Sequence, residues 1–302
     1  SNFDIIAYKN TNTYIVRKVD NIMSLLDEHI VMTKAMQFST YKKPFEELIN
    51  KWLTKLRLVQ EVIEEWIQVQ SKWISLQSIF ASADINRQLP AEGKRFSSVN
   101  KTWKLIMSQV YANPNVLQFC DNTSLYKKFK NSNKLLQLVQ KRLADYLDQK
   151  RAIFTRFYFL ANKELLDILS QTQEPRAVQP HLKKCFDNIK ELKFDEHDNI
   201  CGMSSAEGEY IPFDKKLNPN HKSVEYWLGD VERAMKSNVK RVFNQSIQDY
   251  NVVDRKQWVK KWPAQCILGG SQVYWTLEVE KSLKKAGYRG IIRYGKKLQQ
   301  QL

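Results

Sequence analysis

The sequence predicts a mainly α protein, an elongated rod of antiparallel helical hairpins and bundles carrying one small antiparallel β insertion. Three observations predict it. Glycine and proline are scarce, at 9 and 8 of 302 residues, too few for the many tight turns of an all-β chain. Apolar residues recur every seven positions at Phe45, Trp52, Val59, Trp66, Trp73 and Phe80, the seam of a long packed helix. Between Leu192 and Phe213 that period gives way to short apolar runs separated by DEHDN and AEGE, which are turn compositions.

The elements follow in order. Val19, Ile22, Leu25, Leu26, Met32 and Met36 mark a first helix. The seven-residue stripe from Phe45 to Phe80 is filled in by Leu48, Leu56, Val62, Ile63, Val69 and Leu76, and at about 1.5 Å rise per residue it is a rod of roughly 54 Å. Pro44 suits its first turn, and Glu46 and Glu47 sit where the helix dipole favours them. Pro90 opens another helix through Phe96, Val99, Trp103, Ile106, Met107 and Val110, which Asn113-Pro114 ends. Beyond Asp121 a further long stripe runs from Leu125 through Phe129, Leu136, Val139 and Leu143 to Leu147. FTRFYFLANKELLDILSQ (154–171) reads as a short extended aromatic lead-in to a helix capped by Asn162, with Leu165, Leu166 and Leu169 on one stripe. Pro180 starts a shorter helix with Cys185, Phe186 and Ile189.

Everything up to about Leu192 is thus expected to be helical hairpins joined by short turns. The expected organisation is a helical part at 1–191, a β meander at 192–217 closed by Asn218-Pro219-Asn220, and a second helical part at 218–302. In that last part Val224, Trp227, Leu228, Val231, Met235, Val239, Val242, Phe243 and Ile247 resume the helical spacing. A final stripe begins near Trp258 and passes Trp262, Ile267, Val273, Tyr274, Leu277 and Leu283 to a break at Ala286-Gly287. Gly269-Gly270 interrupts it at about 1 kcal/mol per glycine relative to alanine, so either another helix packs very closely there or the rod flexes.

Charge and chemistry bound the function. Forty-eight Lys and Arg against 32 Asp and Glu leave a formal charge of +16, which favours an acidic partner such as nucleic acid, an anionic membrane or an acidic protein surface, or else neighbouring segments that balance it. Cys120, Cys185, Cys201 and Cys266 form no CxxC pair and read as reduced thiols of an intracellular protein. No apolar run approaches the roughly 20 residues of a membrane span, and the first residues do not resemble a signal peptide. Gly290 to Lys297 matches GxxxxGK[ST] at every position but the last, where Lys297 cannot supply the magnesium-binding hydroxyl. His197, Asp198, Cys201 and His221 fit no trusted zinc spacing. His29 and His181 are isolated, and no nucleophile sits in an activating context. The basic pairs Lys183-Lys184, Lys260-Lys261 and Lys284-Lys285 lie among Trp258, Trp262 and Tyr288, which keeps a nucleic-acid surface as an alternative.

Several stretches together resemble the linker region of dynein heavy chains. They are EEWIQVQSKWISLQSIFASADINRQLPAEGKRF (64–96), PNVLQF (114–119), RFYFLANKELLDILSQTQEPRAVQPHLKKCFDNI (156–189), GMSSAEGE (202–209) and VKKWPAQCILGGSQVYWTLEVEKSL (259–283), in the family's order. KKPFEELINKW, QSIFASADINRQLP and KKWPAQC are closer to axonemal than to cytoplasmic dyneins.

The resemblance implies a mechanical lever. It would be a bent helical rod across a ring of six AAA+ modules, moving between bent and straight states as ATP turns over. It implies no catalytic residue, metal or cofactor in this segment, with ATP and magnesium held by a ring farther along the chain. The implied partners are that ring and, indirectly, the microtubule and other dynein subunits; the implied place is the cytoskeleton, in a ciliary or flagellar axoneme. By the same resemblance Gly202, Met203, Glu207 and Gly208 are ring-contact candidates. Trp66, Trp73, Phe157, Tyr158, Phe159, Trp262 and Trp275 are expected in a force-transmitting core. Gly269-Gly270 departs from the family's larger small residues.

Overall fold

Several helix boundaries fall where side-chain caps and prolines put them, at Ser82, Asn115, Asp254 and Pro90. The computed structural model describes residues 1–9, 11–170, 174–220 and 222–301; Gln171, at the end of the aromatic helix segment, and His221 lie outside the described residues. The fold is mainly α with a small antiparallel insertion, as expected, and the chain divides into two compact units, 1–148 and 149–302.

The first unit opens with a hairpin, β1 (Asp4–Ala7) and β2 (Tyr14–Arg17), paired antiparallel with Ile5 opposite Val16 and Ile6 opposite Ile15. The reading of everything before Leu192 as helical is corrected here. The β-branched runs DIIA and YIVR flank a polar turn, a hairpin composition too short to compete with the helical stripes around it. The hairpin matters to the core because it lays Phe3 on Trp66 at 4.9 Å and Tyr8 on Trp73 at 5.3 Å between ring centroids. Gln70 fastens it by accepting from the Val16 amide at 2.8 Å and donating to the Val16 carbonyl at 2.9 Å.

The helices of this unit are α1 (Val19–Gln37), α2 (Glu46–Gln77), α3 (Ala83–Gln88), α4 (Pro90–Ala112), α5 (Val116–Cys120) and α6 (Thr123–Ile153), the last running into the second unit. Pro90 stands at the start of α4, and Asn113 is extended at its end, as the residue before a proline must be. The seven-residue stripe holds through the middle of α2. Val59, Trp66 and Trp73 are buried, Trp66 stacks on Phe129 of α6 at 5.1 Å and Trp73 on Trp103 of α4 at 5.4 Å. It fails at the beginning, where Phe45 and Trp52 are exposed, and Phe80 joins the core only after the helix has ended.

In the second unit the aromatic lead-in is a 3₁₀ turn, Thr155–Phe159, where extended chain was expected. Asn162 is the first residue of α7 (Asn162–Leu169), not its cap. The cap position is Ala161, whose amide donates to Glu164 at 3.0 Å, and Asn162 instead accepts from Arg151 at 2.6 Å. Pro180 lies inside a second 3₁₀ turn, Pro175–His181, leading into the single turn of α8 (Leu182–Cys185). The expected meander follows as β3 (Ile189–Phe194), β4 (Ile200–Ser205) and β5 (Tyr210–Leu217), antiparallel in that order. α9 (Val224–Asp249) packs on β5, with Asn238 accepting from the Asp214 amide at 3.0 Å.

The final stripe is broken earlier than expected. Trp262 is extended ahead of Pro263, separating α10 (Arg255–Lys261) from α11 (Ala264–Gln301). The break at Ala286 and Gly287 is present, with both residues non-helical inside α11. Gly269-Gly270 resolves in favour of close packing. A Cβ on Gly269 would stand 2.6 Å from the Phe243 ring, and one on Gly270 3.0 Å from Trp258, which is fully buried and donates its indole N–H to the Ser246 carbonyl at 2.8 Å.

Candidate interaction surface on the β meander

The meander presents two turns, one organised by the Asp195 carboxylate and the other by the Ser205 hydroxyl. At the β3–β4 turn Asp195 accepts from the amides of His197 and Asn199, both at 2.9 Å, and from the Lys216 ammonium at 3.0 Å. Lys216 first, then the Asn199 and His197 donors, hold the Asp195 carboxyl far below the usual aspartate range. Arg176 pairs with Asp198 at 2.8 Å. His197 and Asp198 are thus turn residues, and the described residues contain no cluster of three metal-ligating side chains.

At the β4–β5 turn the Ser205 amide donates to the Glu209 carbonyl at 2.9 Å, the Gly208 amide to the Ser205 carbonyl at 3.2 Å, and the Glu209 amide to the Ser205 hydroxyl at 3.1 Å. Glu207 and Gly208 stand exposed at this tip, available as contacts. Gly202 and Met203 do not. Met203 is in the core, and Gly202 is a glycine for local reasons, because a Cβ there would lie 2.7 Å from the Ile211 carbonyl and from the Tyr210 ring that covers it. Strand alternation and a diagonal aromatic thus account for two of the four candidates. Sequence reasoning missed Glu209. Its carboxylate accepts from the Ala264 amide at 2.7 Å, supplying to the first turn of α11 the anion its dipole favours. A cleft of about 530 Å³ opens between this tip, α9 and the start of α11, lined by Met203, Glu207, Ile211, Met235, Val239 and Cys266.

The core candidates divide. Trp66, Trp73 and Phe157 are buried at 2% exposure or less, whereas Tyr158, Phe159 and Trp275 are exposed and Trp262 is half-buried with the Lys261 ammonium 5.0 Å from its ring centre. Tyr158, Phe159 and Trp275 therefore lie on outward faces and not in the expected core. In the 3₁₀ turn, residues three apart share a side, so Phe154, Phe157 and Leu160 point inward. Arg156 completes the lock, donating to the Cys185 carbonyl at 2.9 Å, pairing with Glu232 of α9 at 3.3 Å and lying over the Phe186 ring at 4.8 Å.

The remaining chemical candidates lose their settings. Gly290 to Lys297 is helical backbone inside α11, and a helix has committed the amides that a phosphate loop would present. Burial pushes the Cys120 thiol up to about 12 and the Cys185 thiol up to about 11, so neither is a thiolate nucleophile near neutral pH. Trp258 is enclosed and cannot stack on a base, and two of the clustered lysines are paired internally, Lys184 with Glu164 and Lys261 with Asp249. Among the described residues no helix is long and apolar enough to cross a membrane.

Comparison with known proteins decides the family. The family described as dynein heavy chain, N-terminal region 2, matches residues 1–246. This chain belongs to the dynein heavy chain family. It is 49% identical over 282 residues to Dynein axonemal heavy chain 1 of Rattus norvegicus, covering 93% of this chain and 6% of that protein. Against Dynein axonemal heavy chain 1 of Homo sapiens it is 48% identical over 287 residues, 95% of this chain and 7% of that protein. Dynein axonemal heavy chain 3 of Homo sapiens is 41% identical over 283 residues, 93% of this chain and 7% of that protein. The chain is of the axonemal type and spans less than a tenth of the length of these heavy chains.

Proposed function

We propose that this dynein heavy chain region is the linker, a non-catalytic lever that moves between bent and straight states on the AAA+ ring of its own heavy chain. One observation carries the reading, the match of residues 1–246 to the N-terminal region of dynein heavy chains. Long helices stacked through paired indoles and rings support it, because a close-packed interior transmits displacement instead of absorbing it. In this reading residues 1–191 and 218–302 form the lever, and the tip at Glu207 and Gly208 meets the ring. ATP and magnesium are held by the ring, outside residues 1–302. The lever drives motion along a microtubule, in an axoneme of the cytoskeleton, together with other dynein subunits.

The test is a distance measurement in the full heavy chain, with one fluorophore at Glu207→Cys and a second on the ring. The distance is expected to change between the nucleotide-free and ATP-bound states. An unchanged distance in an actively hydrolysing motor would remove the lever reading.

A further inference from the structure

We infer that the open end of the α1–α2 hairpin is covered by an amphipathic helix with acidic flanks, contributed by another part of the same heavy chain. The inference rests on family membership and not on the lever reading. α1 and α2 pack antiparallel, and the stripe of α2 from Leu53 to Leu76 is buried. Its cover includes Phe129 of α6 and Trp103 of α4. That cover stops where α6 begins, beside the Lys55–Asp121 ion pair at 2.8 Å. The same stripe continues toward the start of α2 as Phe45, Leu48 and Trp52, which are 58%, 65% and 41% exposed, and α1 adds Met36 at 55%. These side chains and Tyr41 line a groove of about 410 Å³.

The shape specifies the occupant. A groove between two antiparallel helices, continuing an apolar stripe that is elsewhere closed by further helices, is closed by one more helix lying along it. A contiguous apolar surface of this kind marks an interaction site. Lys42 lines the groove, Lys43 and Lys51 lie beside lining residues in the sequence, and none of the three makes an ion pair with a described residue; Glu46 and Glu47 occupy the first turn of α2, where the dipole accommodates them. An occupant with acidic flanks meets those lysines. A second copy of this face would instead oppose lysine to lysine across a two-fold contact. More than nine-tenths of the related heavy chains lies outside this region, so a segment of the same chain is at hand at high effective concentration.

Methionine oxidation in the purified full heavy chain, held dilute and free of accessory subunits, tests this. Met36 is expected to oxidise at least about tenfold more slowly than free methionine, approaching the rate of Met107, which is fully buried. Leu48→Asp in the full chain is expected to release Met36 while leaving Met107 protected. Rapid oxidation of Met36 in the unmodified heavy chain would overturn the inference. So would protection that appears only at high heavy-chain concentration, which indicates a second copy, or only when accessory subunits are returned, which indicates a separate protein.

Discussion

At the scale of single residues, three-residue spacing explains why Phe157 and Tyr158 have different fates. Phe154, Phe157 and Leu160 share the inner side of the 3₁₀ turn, and Phe154 meets Phe157 edge-on at 5.0 Å. Tyr158 and Phe159 stand on the other side. Phe157→Ala is therefore expected to cost about 3–5 kcal/mol, and Tyr158→Ala to stay within about 0.5 kcal/mol. Urea denaturation of the two variants checks this, and equal losses would mean that the turn is not formed as described. The spacing was present in the sequence, but four aromatics in six positions read equally well as an extended run until the turn was known. Gly269 and Gly270 were legible only as a choice between close packing and flexing, and Phe243 and Trp258 make the choice.

At the scale of elements, α6 and α9 are joined by a buried ion pair. Lys150 in the last turn of α6 reaches Glu225 in the first turn of α9 at 2.5 Å, with the Glu225 side chain 2% exposed. Lys150→Met leaves a buried carboxylate without its cation and is expected to cost about 3–5 kcal/mol. Adding Glu225→Leu to it should recover much of that loss, since an apolar pair of similar volume is often as stable. A double-variant cycle by chemical denaturation measures both, and additive losses would show that the two side chains do not interact.

The β3–β4 turn carries a pH dependence of known sign. The Asp195 carboxyl is depressed in the folded chain relative to its ordinary value near 3.8. Its contribution is therefore fully present above that value and is lost as pH falls below it toward the folded pKa. The stability difference between the native protein and Asp195→Asn is expected to be constant from pH 7 to about pH 5 and to shrink at lower pH. A difference that grows on acidification would contradict the turn. Helix starts and stops were largely legible because proline and asparagine act locally, whereas this turn's chemistry depends on Lys216, which β5 brings back from 21 residues away.

At the scale of the whole molecule, the sequence by itself determined the fold class, most helix positions, the meander and the dynein heavy chain family. Those properties are written in periodicity, in local backbone restriction and in collinear blocks, none of which requires knowing what packs on what. Tertiary structure alone decided which stretches of an apolar stripe are covered, so that Trp66 and Trp73 lie in the core while Trp52 and Trp275 do not. It also decided that Gly202 and Met203 are enclosed, that Glu209 meets the start of α11, and that a phosphate-loop spelling is a stretch of helix. The physical reason is that burial is a property of pairs of elements. A helix displays the same apolar face whether or not a partner arrives, and only the folded chain shows where one has.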